Sequence, residues 1–164
     1  SSGDGELRMT LLRSSYNPDI YPDQGLHRIT YSLFPHRGDW KNGVWEEADL
    51  CNVPAVAAEP PSLAMRKGKW TRPDEDSLIS VMPAGVVLSG IKKSERGGEM
   101  VVRIAEVHGR KVRAVISIPV RVRAVRRLDV LERNLSGVAE PVVRGCKIHV
   151  TIRPHEIVTI GIRT

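Results

Sequence analysis

The sequence predicts a mainly β protein, an antiparallel β-sandwich with one short helix. Three observations predict it. Apolar and polar residues alternate with period two in several short stretches, most cleanly at Cys146, Ile148, Val150 and Ile152 against Lys147, His149, Thr151 and Arg153. Turn signals recur roughly every 8–12 residues through the second half of the chain. Only one segment spaces its apolar residues as a helix does.

The elements follow in order. A first strand is expected over Glu6–Arg13, with Leu7, Met9 and Leu11 in one phase. Ser14 to Gly25 is turn-rich, and Pro18 and Pro22 favour an ordered loop over a central strand. Leu26–Phe34 alternates Ile29, Tyr31 and Leu33 with Arg28, Thr30 and Ser32 and reads as a half-buried strand. Asp39 or Asn42 is placed to cap a helix over Lys41–Asn52, whose Val44, Ala48 and Cys51 share a face and which Pro54 stops. Residues 54–77 read as a long excursion between two β halves, with a short strand at Leu63–Trp70.

From Leu78 the pattern is almost purely β. Strands are expected at Leu78–Met82, Gly85–Ser94, Glu99–Val107 and Lys111–Ile118, with turns at Glu95–Gly98 and His108–Arg110. Val120–Glu132 places Val120, Val122, Ala124, Leu128 and Val130 in one phase. After Pro154, Val158, Ile160 and Ile162 form the last strand. Ile148, Val150, Ile152, Val158, Ile160 and Ile162 are expected inside, with Lys147, His149 and Thr151 wetter.

The 164 residues suit one domain. No apolar run approaches the roughly 20 residues that span a bilayer, and the first residues show no secretion signal. Cys51 and Cys146 form no CxxC pair; two reduced, buried thiols in a cytoplasmic protein are favoured over a disulfide. The net charge of +6 invites a nucleic-acid partner, yet no aromatic lies on the basic C-terminal strands, where base stacking would need one. Arg121, Arg123, Arg126 and Arg127 read as a solvated strand face, and no nucleic-acid or membrane partner is assigned.

No catalytic constellation is self-contained here. His27, His36, His108, His149 and His155 fall in no metal-ligand spacing, and neither a GxSxG elbow nor a phosphate loop is present. A glycosidase needs two carboxylates about 5–9 Å apart. The richest carboxylate neighbourhood is the loop holding Asp19 and Asp23, whose bland reading is local backbone capping.

A resemblance runs through the chain. Leu11-Leu12-Arg13-Ser14, Pro18-Asp19, Asp23-Gln24-Gly25-Leu26-His27 and Tyr31-Ser32-Leu33-Phe34-Pro35-His36-Arg37-Gly38-Asp39-Trp40 resemble, in order, the start of the C-terminal β-region of glycoside hydrolase family 38 α-mannosidases. Leu88 to Glu95, Val102-Arg103-Ile104-Ala105-Glu106, Asp129-Val130-Leu131-Glu132-Arg133 and Pro154-His155-Glu156-Ile157-Val158-Thr159 resemble its later strands, with Ala105 where an aromatic is usual.

The resemblance implies a galactose-mutarotase or supersandwich-like fold over residues 1–164, as the non-catalytic C-terminal domain of a retaining, zinc-dependent α-mannosidase. It places zinc and the nucleophile in an N-terminal catalytic domain, so no metal or catalytic residue is assigned here. That domain, a helical domain and mannosides are the implied partners. Tyr16, Asp19, Asp23 and Gln24 are the candidate substrate-binding residues, on a proline-stiffened loop that could edge the substrate cleft. A free-standing carbohydrate-binding or protein-interaction sandwich is the alternative.

Overall fold

The computed structural model describes residues 2–3, 5–57, 77–95 and 97–164. The expected strand at Leu63–Trp70 and most of the 54–77 excursion lie outside them. The chain divides into two compact units, Ser1–Val56 and Ala57–Thr164.

The first unit carries little regular structure. Strands β1 (Ser2–Gly3) and β2 (Glu6–Leu7) form a minimal antiparallel pair, and helix α1 spans Val44–Asn52. The helix begins later than expected. Asp39 accepts a bond from the Lys41 amide at 3.0 Å, and its carbonyl accepts one from the Asn42 amide at 3.1 Å. These bonds build a turn that delivers the chain to Gly43, the N-cap, at φ 82° and with no side-chain cap. The expected helix face is not buried: α1 has no buried residue.

The strand expectations for Glu6–Arg13 and Leu26–Phe34 are corrected. Beyond Leu7 neither segment has a ladder partner, and Leu26 is 96% exposed and Leu33 76%. Alternation states which side chains share a face, but a strand exists only where a neighbour takes its N–H and C=O groups.

The second unit is the sandwich. Its strands are β3 (Ser80–Met82), β4 (Val86–Lys93), β5 (Met100–Glu106), β6 (Val112–Ser117), β7 (Ala124–Leu128), β8 (Val142–Arg144), β9 (Lys147–Ile152) and β10 (Ile157–Arg163). They form two four-stranded antiparallel sheets, ordered β4-β5-β10-β7 and β3-β6-β9-β8. A bulge between Leu88 and Gly90 shifts the β4–β5 register, and the Ser89 hydroxyl donates to the Arg103 carbonyl there at 3.2 Å.

The core is entirely aliphatic. Val102, Ile104, Ala114, Ile116, Ile148, Val150, Ile152, Val158, Ile160 and Ile162 close it between the sheets. The register expected for the last two strands holds: all six apolar positions are buried, while Lys147 and Thr151 are exposed and His149 is half-buried. β-Branched residues suit this role because their stiff side chains pack well on a pleated surface.

Three sandwich expectations are corrected. The long strand Val120–Glu132 shortens to β7. Val122 and Leu128 are buried as expected, but Val120, Ala124 and Val130 are exposed: Val120 precedes the strand, Ala124 is its first residue, and Val130 lies in the loop at Asp129–Arg133. The basic run also divides. Arg121 and Arg123 are solvated, whereas Arg126 and Arg127 are ion-paired. Finally, both cysteines are free and exposed rather than buried: Cys51 sits on the exposed helix, and Cys146 in the β8–β9 turn. Strand β8 has no counterpart in the sequence reading; at three residues it is too short to show a period.

Candidate functional site

The candidate loop Tyr16–Gly25 stands on local hydrogen bonds. The Ser15 hydroxyl donates to the Asn17 carbonyl at 3.3 Å, and the Asn17–Pro18 peptide is cis. An Asp19 carboxylate oxygen accepts from the Tyr21 amide at 2.9 Å, an Asx-type turn. Asp23 has φ 52°, and its carbonyl lies 2.7 Å from His27 Nε2. Asp19 is thus half-committed to its own backbone, while Asp23 turns the chain through backbone geometry and leaves its carboxylate free of any bond among the described residues. Tyr16 is 75% exposed and Tyr21 66%, and Gln24 is exposed as well. The loop therefore presents two phenols, an amide and carboxylate oxygens on one short, turn-braced segment. Such groups hydrogen-bond sugar hydroxyls, and little ordering entropy is lost on contact because the backbone is already fixed.

The sandwich carboxylates behave differently. Glu106 is 3% exposed and accepts three backbone N–H bonds: from His108 at 2.9 Å, Gly109 at 2.8 Å and His155 at 2.9 Å. Burial pushes its carboxyl up most strongly, but the His155, Arg110, His108 and Gly109 amides together outweigh burial and hold it below the ordinary carboxylate range. Glu156 lies beside it, its carbonyl accepting from the Glu106 amide at 3.1 Å. It accepts from the Arg153 amide at 2.7 Å and from the inward-facing Arg127 guanidinium at 2.9 Å, which overcome its burial and lower its pKa.

On the outer face of the β4-β5-β10-β7 sheet, Glu99 binds Arg126 at 2.6 Å and Arg163 at 2.9 Å. The Arg126 bond is the chief cause of its lowered pKa. Glu132 pairs with Lys92 at 2.9 Å and accepts from the Glu95 amide at 2.8 Å. Asp129 accepts from the Leu131 and Arg133 amides, closing the loop after β7. Glu106, Asp129, Glu132 and Glu156 lie in the family-like blocks of the sequence and Glu99 outside them, and each is spent on holding a turn or an ion pair.

Two clefts bear on catalysis. One of about 530 Å³ is lined by Val120, Arg121, Val122, Arg123 and Thr164. Another of about 150 Å³ is lined by Glu99, Arg126 and Arg163 with Ala124, Val125 and Gly161. Neither sets two carboxylates across an open space, the arrangement that glycoside hydrolysis requires. Among the described residues no three His, Cys, Asp or Glu side chains come together to hold a metal ion. These residues thus offer no cradle for zinc.

The geometry defines an antiparallel sandwich whose carboxylates are structurally committed, together with a separate unit presenting a polar, aromatic loop. Residues 85–160 match the family described as "Glycosyl hydrolases family 38 C-terminal beta sandwich domain". The chain is 30% identical to human "Alpha-mannosidase 2C1" over 158 residues, covering 94% of this chain and 14% of that protein. It is 35% identical to "Alpha-mannosidase G" of Dictyostelium discoideum over 107 residues, covering 64% of this chain and 9% of that protein. With "Alpha-mannosidase" of Saccharomyces cerevisiae it shares 26% over 171 residues, 92% of this chain and 15% of that protein. The chain belongs to the glycosyl hydrolase family 38 C-terminal β-sandwich domains, and it spans about one-seventh of the length of the human relative.

Proposed function

We propose that this chain serves as the non-catalytic C-terminal domain of a retaining, zinc-dependent α-mannosidase, with the zinc and the nucleophile in a catalytic domain elsewhere in the same protein. The observation that carries the reading is the match to α-mannosidases over nearly the whole chain, at a small fraction of their length. The first unit supports it. Leu7, Leu12, Tyr16, Tyr21, Leu26, Tyr31, Leu33, Trp40, Trp45 and Leu50 are all exposed, a concentration of large apolar side chains of the kind that marks an interaction surface. Packing against the catalytic and helical domains of the parent is the cover this reading supplies. The two free, exposed thiols suit a reducing compartment such as the cytoplasm.

Within this function the loop Tyr16–Gly25 edges the mannoside cleft, with Tyr16, Asp19, Asp23 and Gln24 as hydrogen-bonding groups. Kinetics and melting curves on the full-length parent test this part of the proposal. Asp23→Asn lowers kcat/KM on an aryl α-mannoside roughly ten- to a hundredfold, the worth of a hydrogen bond to a charged group, and leaves Tm within about 1 °C. Asp19→Asn lowers both, because its carboxylate also caps Tyr21. Unchanged kinetics with a lowered Tm for Asp23→Asn would make the loop purely structural. The domain assignment itself is tested separately: the parent hydrolyses the aryl mannoside with zinc, and the isolated chain does not.

A further inference from the structure

The outer face of the β3-β6-β9-β8 sheet carries a pattern that the mannosidase reading does not use. The register sets Met82, Val115, His149 and Val142 directly opposite one another, so one row crosses all four strands. Met82 is 66% exposed and Val142 49%, while Val115 and His149 are half-buried. The next row along the strands ends in Lys147 and Arg144, also directly opposite one another, and Arg113 flanks the apolar row on its other side. An apolar ridge thus runs across the sheet with cations on both sides.

Among the described residues, no strand position of this face carries a counter-charge. Ser80, Ser117 and Thr151 fill its remaining strand positions, so none of them holds a carboxylate. Among the described residues no ion pair joins Arg113, Arg144 or Lys147 to an acid, although the opposite sheet ties up its own outward cations with Glu99 and Glu132. Like charges placed directly across a ladder destabilise it, and Arg144 opposite Lys147 is such a pair. The partial burial of His149, then Arg113, Arg144 and Lys147, lower its pKa. No group on β3 offsets them, since Ser80 and Met82 are uncharged.

We propose that this face docks an acidic protein surface, one whose carboxylates flank an apolar ridge. The ridge selects the class of partner. No Trp, Tyr or Phe lies on the face and the His149 ring is half-buried, so it offers a poor platform for stacking a sugar ring or a base. Duplex DNA would set phosphates against Met82 and Val142, whereas a protein surface buries them and pairs the cations at the rim. Pairing also relieves the repulsion between Arg144 and Lys147.

The test uses the full chain and a helical peptide bearing a leucine stripe flanked by glutamates. Binding is followed through the His149 ring resonances. The peptide binds, raises the His149 pKa by supplying the missing negative charge, and binds more weakly as salt rises. Arg113→Thr/Arg144→Thr/Lys147→Thr, which keeps strand-forming residues, weakens binding roughly tenfold or more. If that variant does not fold, Met82→Ser and the salt and pH dependence of the unaltered chain carry the same test. Several outcomes overturn the proposal: equal binding of the matching lysine peptide, tighter binding of a DNA duplex, salt-sensitive self-association in sedimentation that the peptide does not compete with, or a His149 pKa unmoved by the peptide.

Discussion

Removing one acceptor from Glu106 probes what holds the loop end of the sandwich together. In Glu106→Gln the amide oxygen can keep the position of Oε2, which serves the Gly109 and His155 amides. The NH2 group then takes the place of Oε1 and meets the His108 N–H donor to donor. One charge-assisted bond is lost and two become neutral, at a cost of about 2 kcal/mol. For a domain of this size that is roughly 8–16 °C in Tm. Glu106→Ala removes all three bonds and a buried stem, and costs about 3–5 kcal/mol. The pH dependence has a definite sign. The folded-state pKa of Glu106 lies below the ordinary glutamate value of about 4.5, so its contribution is complete above about pH 4.5 and is lost as the pH falls through the lower folded value. The gap in stability between the parent sequence and Glu106→Gln should therefore narrow only below about pH 4.5. Calorimetry or strand circular dichroism is the assay. A Glu106→Gln variant as stable as the parent sequence, with the same acid profile, would refute the argument that these backbone bonds dominate the site.

Other substitutions test the rest of the frame. Gly85 sits at φ +86°, and a Cβ there would run into the His108 ring; Gly85→Ala should cost more than about 2 kcal/mol, read by the same melts. Ile104 is fully buried between the sheets, so Ile104→Ala should cost about 2–5 kcal/mol and lower the midpoint of urea unfolding. Glu99→Gln removes the anion shared by Arg126 and Arg163 and should cost about 1–3 kcal/mol near neutral pH. Its depressed pKa means that the cost shrinks as acid protonates the native Glu99, a trend visible in melts below about pH 4.5.

The loop Tyr16–Gly25 was legible as a loop, because two prolines and a run of turn residues exclude a ladder locally. That Asp19 bonds Tyr21 while Asp23 turns the backbone was not legible, since both are acids in the same turn-forming company. Glu106, Asp129, Glu132 and Glu156 were legible only as parts of family-like blocks, and Glu99 only as the start of a strand. Glu106 meets His155 across 49 residues and Glu99 meets Arg163 across 64, and no local pattern announces such partners.

The sequence by itself determined the phases of the well-paired strands, the aliphatic core and the relationship to family 38. Side-chain direction in a strand alternates with period two whatever its neighbours are, so a burial phase is written locally. Tertiary structure decided the rest. It denied strands to Leu26–Phe34 for want of a ladder partner, turned Arg127 toward Glu156, and drew Met82, Val115, His149 and Val142 into one row between cations that no described residue pairs. Those outcomes depend on which strands lie side by side and in what register, and that is fixed only when distant segments pair.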